Sequence, residues 1–290
     1  MKRAIIPLFI AFQSKLSTRQ LDKNTALTLL LGSLLGASAA VDAKPLPLSK
    51  LNLPDGFVIE QYAEVPNARQ MTRGGEGVIY VGTRRKGKVY AVVDNDGDHK
   101  SDEVHLIDSN LNMPSGLAYR DGDLYVGAVS KVLVYRDIDS QLADPPKAEL
   151  LTDQLPGEQH HGWKYLGFGP DGKLYIPVGA PCNICLSKNP QFASILRMDV
   201  SKPEQLESYA SGIRNTVGFD WHPNTGELWF TDNGRDMMGD DLPPGELNRI
   251  SSQGQHFGYP FFHAGTIADP KFGKGKNSAH YVHPELNLDP

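Results

Sequence analysis

The chain has 290 residues, 40% of them hydrophobic and 22% charged, a balance that suits a soluble globular protein with a large core. A formal net charge of -5 and a pI near 6.0 provide no basic face, which argues against nucleic acid as a partner and against attraction to an anionic membrane. The 29 Gly and 21 Pro argue against a helical bundle and suit many short strands joined by turns.

The first residues are of a different kind. Lys2, Arg3, Lys15, Arg19 and Lys23 make a basic start in which Asp22 is the one carboxylate. The apolar run Thr25–Ala40 follows, too short for a comfortable membrane span but suited to the core of a signal peptide. Small-residue cleavage patterns stand at Ala37-Ser38-Ala39 and Val41-Asp42-Ala43. The expectation is a signal peptide over 1–43, a mature chain over 44–290, and a periplasmic or secreted protein. An uncleaved anchor is the alternative, and the apolar stretch Ala4–Phe12 leaves room for an internal start. No later run reaches membrane length, so the mature chain is expected to carry no membrane span.

One phrase then repeats. Gly77-Val78-Ile79-Tyr80-Val81, Gly122-Asp123-Leu124-Tyr125-Val126, Gly172-Lys173-Leu174-Tyr175-Ile176 and Gly226-Glu227-Leu228-Trp229-Phe230 each join a turn glycine to a short strand of β-branched and aromatic residues. A second strand follows three of them, at Lys88–Val93, Val132–Tyr135 and Ile195–Met198. The recurrence, about every 45 to 55 residues, matches the four-stranded blade of a β-propeller. A β-sandwich would bring its strands at closer, less regular spacing. The fold expected is all-β, a propeller with about four blades. The stretch from Gly258 reads as the approach to a fifth, and the sequence reaches Pro290 without another strand phrase. An unclosed propeller is therefore expected.

Three segments between these strands carry chemistry. Gln159-His160-His161-Gly162-Trp163 places a histidine pair just before a strand, where an imidazole could take a proton from a hydroxyl. Alone, such a pair is more often structural. Gly212-Ile213-Arg214-Asn215-Thr216 offers a planar guanidinium for oxygen anions and an amide for a polar ring edge, or simply a salt bridge. Thr231-Asp232-Asn233-Gly234-Arg235-Asp236, leading to Asp240, Asp241, Glu246 and Asn248, could present oxygens to a hard cation such as Ca²⁺, or form a polar turn.

In order, the runs HHGWKYLGFGPDGKLYIPVGAPCNIC, SGIRNTVGFDWHP, FTDNGRD and GELNRI resemble the soluble quinone-dependent sugar dehydrogenases, the glucose, aldose and L-sorbosone enzymes, with the sorbosone branch closest. The resemblance covers roughly Leu51 to Pro290. It implies a six-bladed propeller holding pyrroloquinoline quinone and Ca²⁺ at one end of its channel. It implies His161 as the base that takes the proton from the sugar hydroxyl, counted back from the shared Phe168-Gly169-Pro170-Asp171. It implies Arg214 and Asn215 as the pair that orients the quinone, and Gly234 and Arg235 as the position whose backbone carbonyls hold Ca²⁺. A small sugar substrate and an electron acceptor, such as a quinone or a cytochrome, complete the expected partners. The glutamine that the glucose enzymes place before their second-blade strand is missing from Asn112–Gly116, which turns the resemblance away from glucose. The family's later Lys and Arg cofactor ligands have no counterpart before Pro290. A metal-dependent propeller lactonase and a non-catalytic propeller fragment are the rival readings.

Weaker signals remain. Asp94-Asn95-Asp96-Gly97-Asp98 with Asp102 and Glu103 resembles a Ca²⁺ loop, but its glycine is misplaced for an EF-hand and a solvated turn is the plainer reading. Cys182 and Cys185 are expected to form a local disulfide in an exported chain. His256, His263, His280 and His283 read as unrelated loop histidines rather than a metal set.

Overall fold

The computed structural model describes residues 46–289, so the expected signal segment lies outside the described residues. Among them, no helix is long and apolar enough to cross a membrane.

The first blade is β1 (Ala68–Arg73), β2 (Val78–Thr83), β3 (Val89–Val93) and β4 (Glu103–Asp108), an antiparallel sheet in sequence order. The second is β5 (Gly116–Arg120), β6 (Asp123–Gly127), β7 (Val132–Tyr135) and β8 (Glu149–Thr152). The third is β9 (Gly167–Phe168), β10 (Leu174–Val178), β11 (Ser194–Met198) and β12 (Glu207–Ser211). The fourth opens with β13 (Phe219–Trp221), β14 (Leu228–Asp232) and β15 (Gly245–Ile250). The chain then leaves the sheet for a small hairpin, β16 (Phe262–His263) and β17 (Ile267–Ala268), and returns as β18 (Leu286–Leu288) to pair with β15. The stretch from Gly258, expected to lead toward a fifth blade, thus supplies the outer strand of the fourth.

The repeated phrases are β2, β6, β10 and β14. Their glycines occupy the left-handed region, with φ of 72° at Gly77, 88° at Gly122, 73° at Gly172 and 70° at Gly226. The reason is plainest between β5 and β6. Arg120 pairs with Asp123, so Asp121 and Gly122 form a two-residue turn with both φ values positive, a geometry that Asp-Gly adopts at little steric cost.

Successive side chains of a strand point to opposite faces, and here both faces are buried. In β6, Leu124 and Val126 pack toward the first blade with Tyr80, Val89 and Ile138, while Tyr125 packs toward the third. In β10, Leu174 and Ile176 face the second blade with Val132 and Val134, while Tyr175 faces the fourth beside Phe219, Leu228 and Phe230. The core is therefore a row of apolar layers between blades. Each fully buried large side chain in it is worth about 1.5–3 kcal/mol.

Polar staples cross the row. Gln70 of β1 reaches the neighbouring blades, its amide donating to the carbonyls of Leu117 (2.9 Å) and Leu166 (3.1 Å). Its side-chain carbonyl accepts from Leu117 N–H (2.8 Å) and Leu166 N–H (3.3 Å). The Asp139 carboxylate likewise accepts from the hydroxyls of Tyr80 and Tyr119 and from Gly75 N–H.

Candidate functional site

In each blade the first strand starts, and the second ends, at the same edge. The loop before β9 carries His161, the residues after β10 include Gly179 and Ala180, the loop before β13 carries Arg214 and Asn215, and Gly234 and Arg235 follow β14. The three sequence segments are thereby brought to one edge of the third and fourth blades.

His161 is buried in a tight turn, with φ at 51° and Gly162 N–H donating to Gln159 O at 3.0 Å. Its Nδ1 lies 2.9 Å from Ala180 O. A carbonyl oxygen only accepts, so Nδ1 carries the hydrogen and Nε2 keeps its lone pair. Burial, and then the nearby Arg214 guanidinium, push the imidazole pKa down to about 4. The ring is thus neutral at pH 7 and able to accept a proton. A side chain at Gly179 would put its Cβ 2.6 Å from the His161 Cβ, so this glycine gives the ring its room. Ala180 N–H donates to Arg214 O at 2.8 Å, so one residue holds the imidazole and anchors the arginine loop. Lys164, buried nearby, donates from Nζ to Gly162 O at 2.7 Å, and burial lowers its pKa to about 7.

Arg214 is 4% exposed. Its Nε donates to Asn183 O (2.9 Å), Nη2 to Asn183 Oδ1 (2.9 Å) and Nη1 to Asn233 O (3.1 Å). Of five N–H groups, three are so engaged, which leaves one on Nη1 for a ligand and one on Nη2, 3.6 Å from Asp236 Oδ2. The amide of Asn215 is buried and makes no side-chain hydrogen bond among the described residues, and the neighbouring Thr216 Oγ1 is buried without a partner. Unengaged donors and acceptors around a buried guanidinium fit a planar, oxygen-rich anionic group such as pyrroloquinoline quinone.

Asp232, the last residue of β14, shapes this turn. Its carboxylate accepts from the backbone N–H groups of Arg214 (2.7 Å) and Asn215 (2.6 Å). The sequence presents Asp232 as one of several candidate cation ligands, whereas the structure spends both its oxygens on the backbone. Glu246 stands opposite it on β15 and accepts from Ala264 N–H at 2.6 Å. Burial raises the pKa of both acids, and the charge of Glu246 raises that of Asp232 further.

The carbonyls of Gly234 and Arg235 accept no hydrogen bond among the described residues, as carbonyls free to meet a hard cation would. The Arg235 side chain turns elsewhere. Its Nη1 pairs with Asp269 Oδ2 at 2.7 Å, and His263 meets the same oxygen at 3.2 Å, so the pair fastens the β16–β17 excursion over the site. The structure closes Cys182–Cys185 as a disulfide.

The secondary candidates lie apart. Asp94, Asp96 and Asp102 bring carboxylate oxygens within 4.8 Å of one another in the loop after β3. Asp94 also accepts from Gly97 N–H (2.7 Å) and His99 N–H (3.0 Å), as a solvated turn would. The late histidines do not gather. His263 bonds Asp269, His256 accepts from Gly258 N–H at 3.0 Å, and His283 lies 3.2 Å from Ser278 O. Sequence reasoning missed Asn183 and Gly179, because each acts through a partner distant in sequence, and Lys164, because its burial shows only in the fold.

Four comparisons place the chain. Residues 47–258 match the family described as a domain of unknown function, DUF7133. An uncharacterized protein of Borreliella burgdorferi is 30% identical over 225 residues, covering 73% of this chain; the chain spans 57% of that relative's length. Among solved structures, the pyranose dehydrogenase PQQ domain from Coprinopsis cinerea in its holo form is 15% identical, with a TM-score of 0.67 over 82% of this chain and 69% of that one. The PQQ-bound aldose sugar dehydrogenase from Streptomyces coelicolor is 18% identical, with a TM-score of 0.59 over 79% and 70%. These structural likenesses establish a common propeller fold. With 47–258 matched and that fold in place, the chain belongs to the DUF7133 family.

Proposed function

We propose that the chain is a quinone-dependent oxidoreductase acting on the aldehyde or hemiacetal carbon of a sugar. The observation that carries this reading is a buried, neutral His161 with Nε2 free, set beside a buried guanidinium with unengaged donors. Solved propellers of the same fold are described as sugar dehydrogenases bound to pyrroloquinoline quinone, which supports the same cofactor here.

In this reading His161 Nε2 accepts the proton of the sugar C1 hydroxyl, while Nδ1–H stays on Ala180 O and fixes the ring. Arg214 and Asn215 would bind and orient the cofactor's oxygens, and the Gly234 and Arg235 carbonyls would hold Ca²⁺. Pyrroloquinoline quinone, when bound, supplies the hydride acceptor, and the protein supplies position and charge. Sorbosone, or an aldose, is the substrate proposed from the sequence resemblance. The electrons would pass to a quinone or a cytochrome. The disulfide and the basic, apolar N-terminal segment support an exported, periplasmic or secreted protein.

The test is reconstitution with pyrroloquinoline quinone and Ca²⁺, followed by a dye-linked assay on sorbosone and a panel of aldoses. Turnover that depends on both additions and is lost in His161→Ala supports the reading. Turnover without quinone, or equal turnover in His161→Ala, overturns it.

A further inference from the structure

Between the two cysteines of the disulfide stands Asn183, and almost everything it offers goes to the site. Its backbone carbonyl accepts from Arg214 Nε at 2.9 Å, and its Oδ1 accepts from Arg214 Nη2 at 2.9 Å. The same Oδ1 accepts from Asp236 N–H at 2.8 Å, and its Nδ2 donates to Asp236 O at 3.0 Å. Asp236 Oδ2 in turn lies 3.6 Å from Arg214 Nη2. One amide thus ties the guanidinium to the turn that follows Gly234 and Arg235.

The ring around Asn183 is held from outside as well. Cys182–Cys185 closes it, Tyr259 Oη accepts from Cys185 N–H at 3.0 Å, and the same hydroxyl lies 3.6 Å from Cys182 Sγ. A four-residue segment with no regular secondary structure would otherwise hold such an amide loosely. Fixing the main chain at both cysteines removes that freedom before any ligand arrives. Two acceptors on one residue, meeting the adjacent Nε–H and Nη2–H along one edge of the guanidinium, also set its plane, which a single ion pair would not.

We propose that Asn183, held in the Cys182–Cys185 ring, is a positioning residue that fixes the plane of Arg214 and so prepares the site for an anionic quinone. This rests on the reading of Arg214 as a cofactor-binding residue. Asn183 acts through Arg214 and the turn at Asp236. Opening the ring with an external dithiol, which leaves two thiols on the protein and a disulfide on the reagent, would release the same clamp.

The experiment uses the full chain, with pyrroloquinoline quinone and Ca²⁺ as the probe, in the wild type, Asn183→Ala, Asn183→Asp and the double variant Cys182→Ser/Cys185→Ser. Asn183→Ala is expected to weaken quinone binding 10- to 100-fold while leaving the sugar KM within threefold. Asn183→Asp keeps Oδ1 and should recover most of that loss. The double serine variant, or wild type treated with dithiol, should fall between them. A second readout needs no cofactor. Phenylglyoxal modification mapped by peptide mass should find Arg214 protected in the wild type and at least fivefold more reactive in Asn183→Ala, with thermal unfolding confirming that the variant is folded. Quinone affinity and Arg214 reactivity both unchanged in Asn183→Ala would overturn the proposal. A wild type that binds no quinone, yet shows the reactivity change, would overturn the functional reading and leave the clamp standing.

Discussion

A histidine can serve as a base at neutral pH only if it is neutral there and one nitrogen is spoken for. His161 meets both conditions through burial and through the Ala180 carbonyl. With His161 as the proposed base, its pKa of about 4 would set the acid limb of activity. The unprotonated ring is the active form, so kcat/KM should be flat from pH 5 to 8 and fall as pH drops through about 4. A pH–rate profile checks this, and an acid limb near 6.5 would contradict it. Replacing His161 by Gln should cost about 10²–10⁴-fold in turnover. Lys164 makes a different prediction. Its pKa is lowered to about 7 in the fold, so above that pH the unfolded chain binds more protons than the folded one. Stability should therefore rise with pH between about 7 and 10, by up to about 1.4 kcal/mol per unit. Lys164→Met removes this dependence. Urea unfolding at pH 7 and pH 9 should find the stability of Lys164→Met relative to wild type lower at pH 9 by about 2 kcal/mol.

At the scale of elements, the short strands are made specific by what crosses between them. β9 has only two residues, too few to hold its place through its own ladder. Gln70 compensates by completing the backbone hydrogen bonding of Leu117 in β5 and of Leu166 beside β9. Gln70→Leu would leave these buried backbone groups unpaired. The expected cost is about 1–3 kcal/mol. Hydrogen exchange should show faster exchange at the Leu117 and Leu166 amides, with the amides of β10 and β11 unchanged. Uniform loss of protection across all blades would contradict a local staple. The outer strands behave otherwise. β4 and β8 leave apolar residues such as Val104, Leu106 and Leu150 exposed, so their apolar pattern does not mark a buried face and they are hard to find without the neighbouring strand.

At the scale of the molecule, each blade is stabilised by the next, because every inner layer is shared. Ile176 is wholly buried between the second and third blades. Ile176→Ala should cost about 2–5 kcal/mol. Calorimetry should show this as one transition moved to lower temperature. Separate melting of the third blade would sink the picture of shared layers. The same dependence explains what could be read before the fold was known. The second strands β2, β6, β10 and β14 were legible because they are largely buried, with one face of β14 half-buried, and a turn glycine precedes each, which leaves a local pattern of apolar and aromatic residues. His161, Arg214 and Asn215 were named as candidates through the resemblance of their loop motifs to a known family, and the fold brings those loops to one edge of the third and fourth blades.

The sequence by itself determined the all-β class and the blade repeat, since turn glycines, alternation and spacing are properties of neighbouring residues, while the loops proposed to carry the chemistry were named through a family resemblance. Only the tertiary structure decided the state of the site. That His161 is neutral depends on burial and the nearby Arg214, that its Nε2 is free depends on Ala180, that Arg214 has donors to spare depends on Asn183 and Asn233, and that β18 completes the fourth blade depends on a pairing across the whole β16–β17 excursion. These are consequences of burial and of hydrogen bonds between residues far apart in the chain, and no local pattern encodes which distant partner a buried polar group will meet.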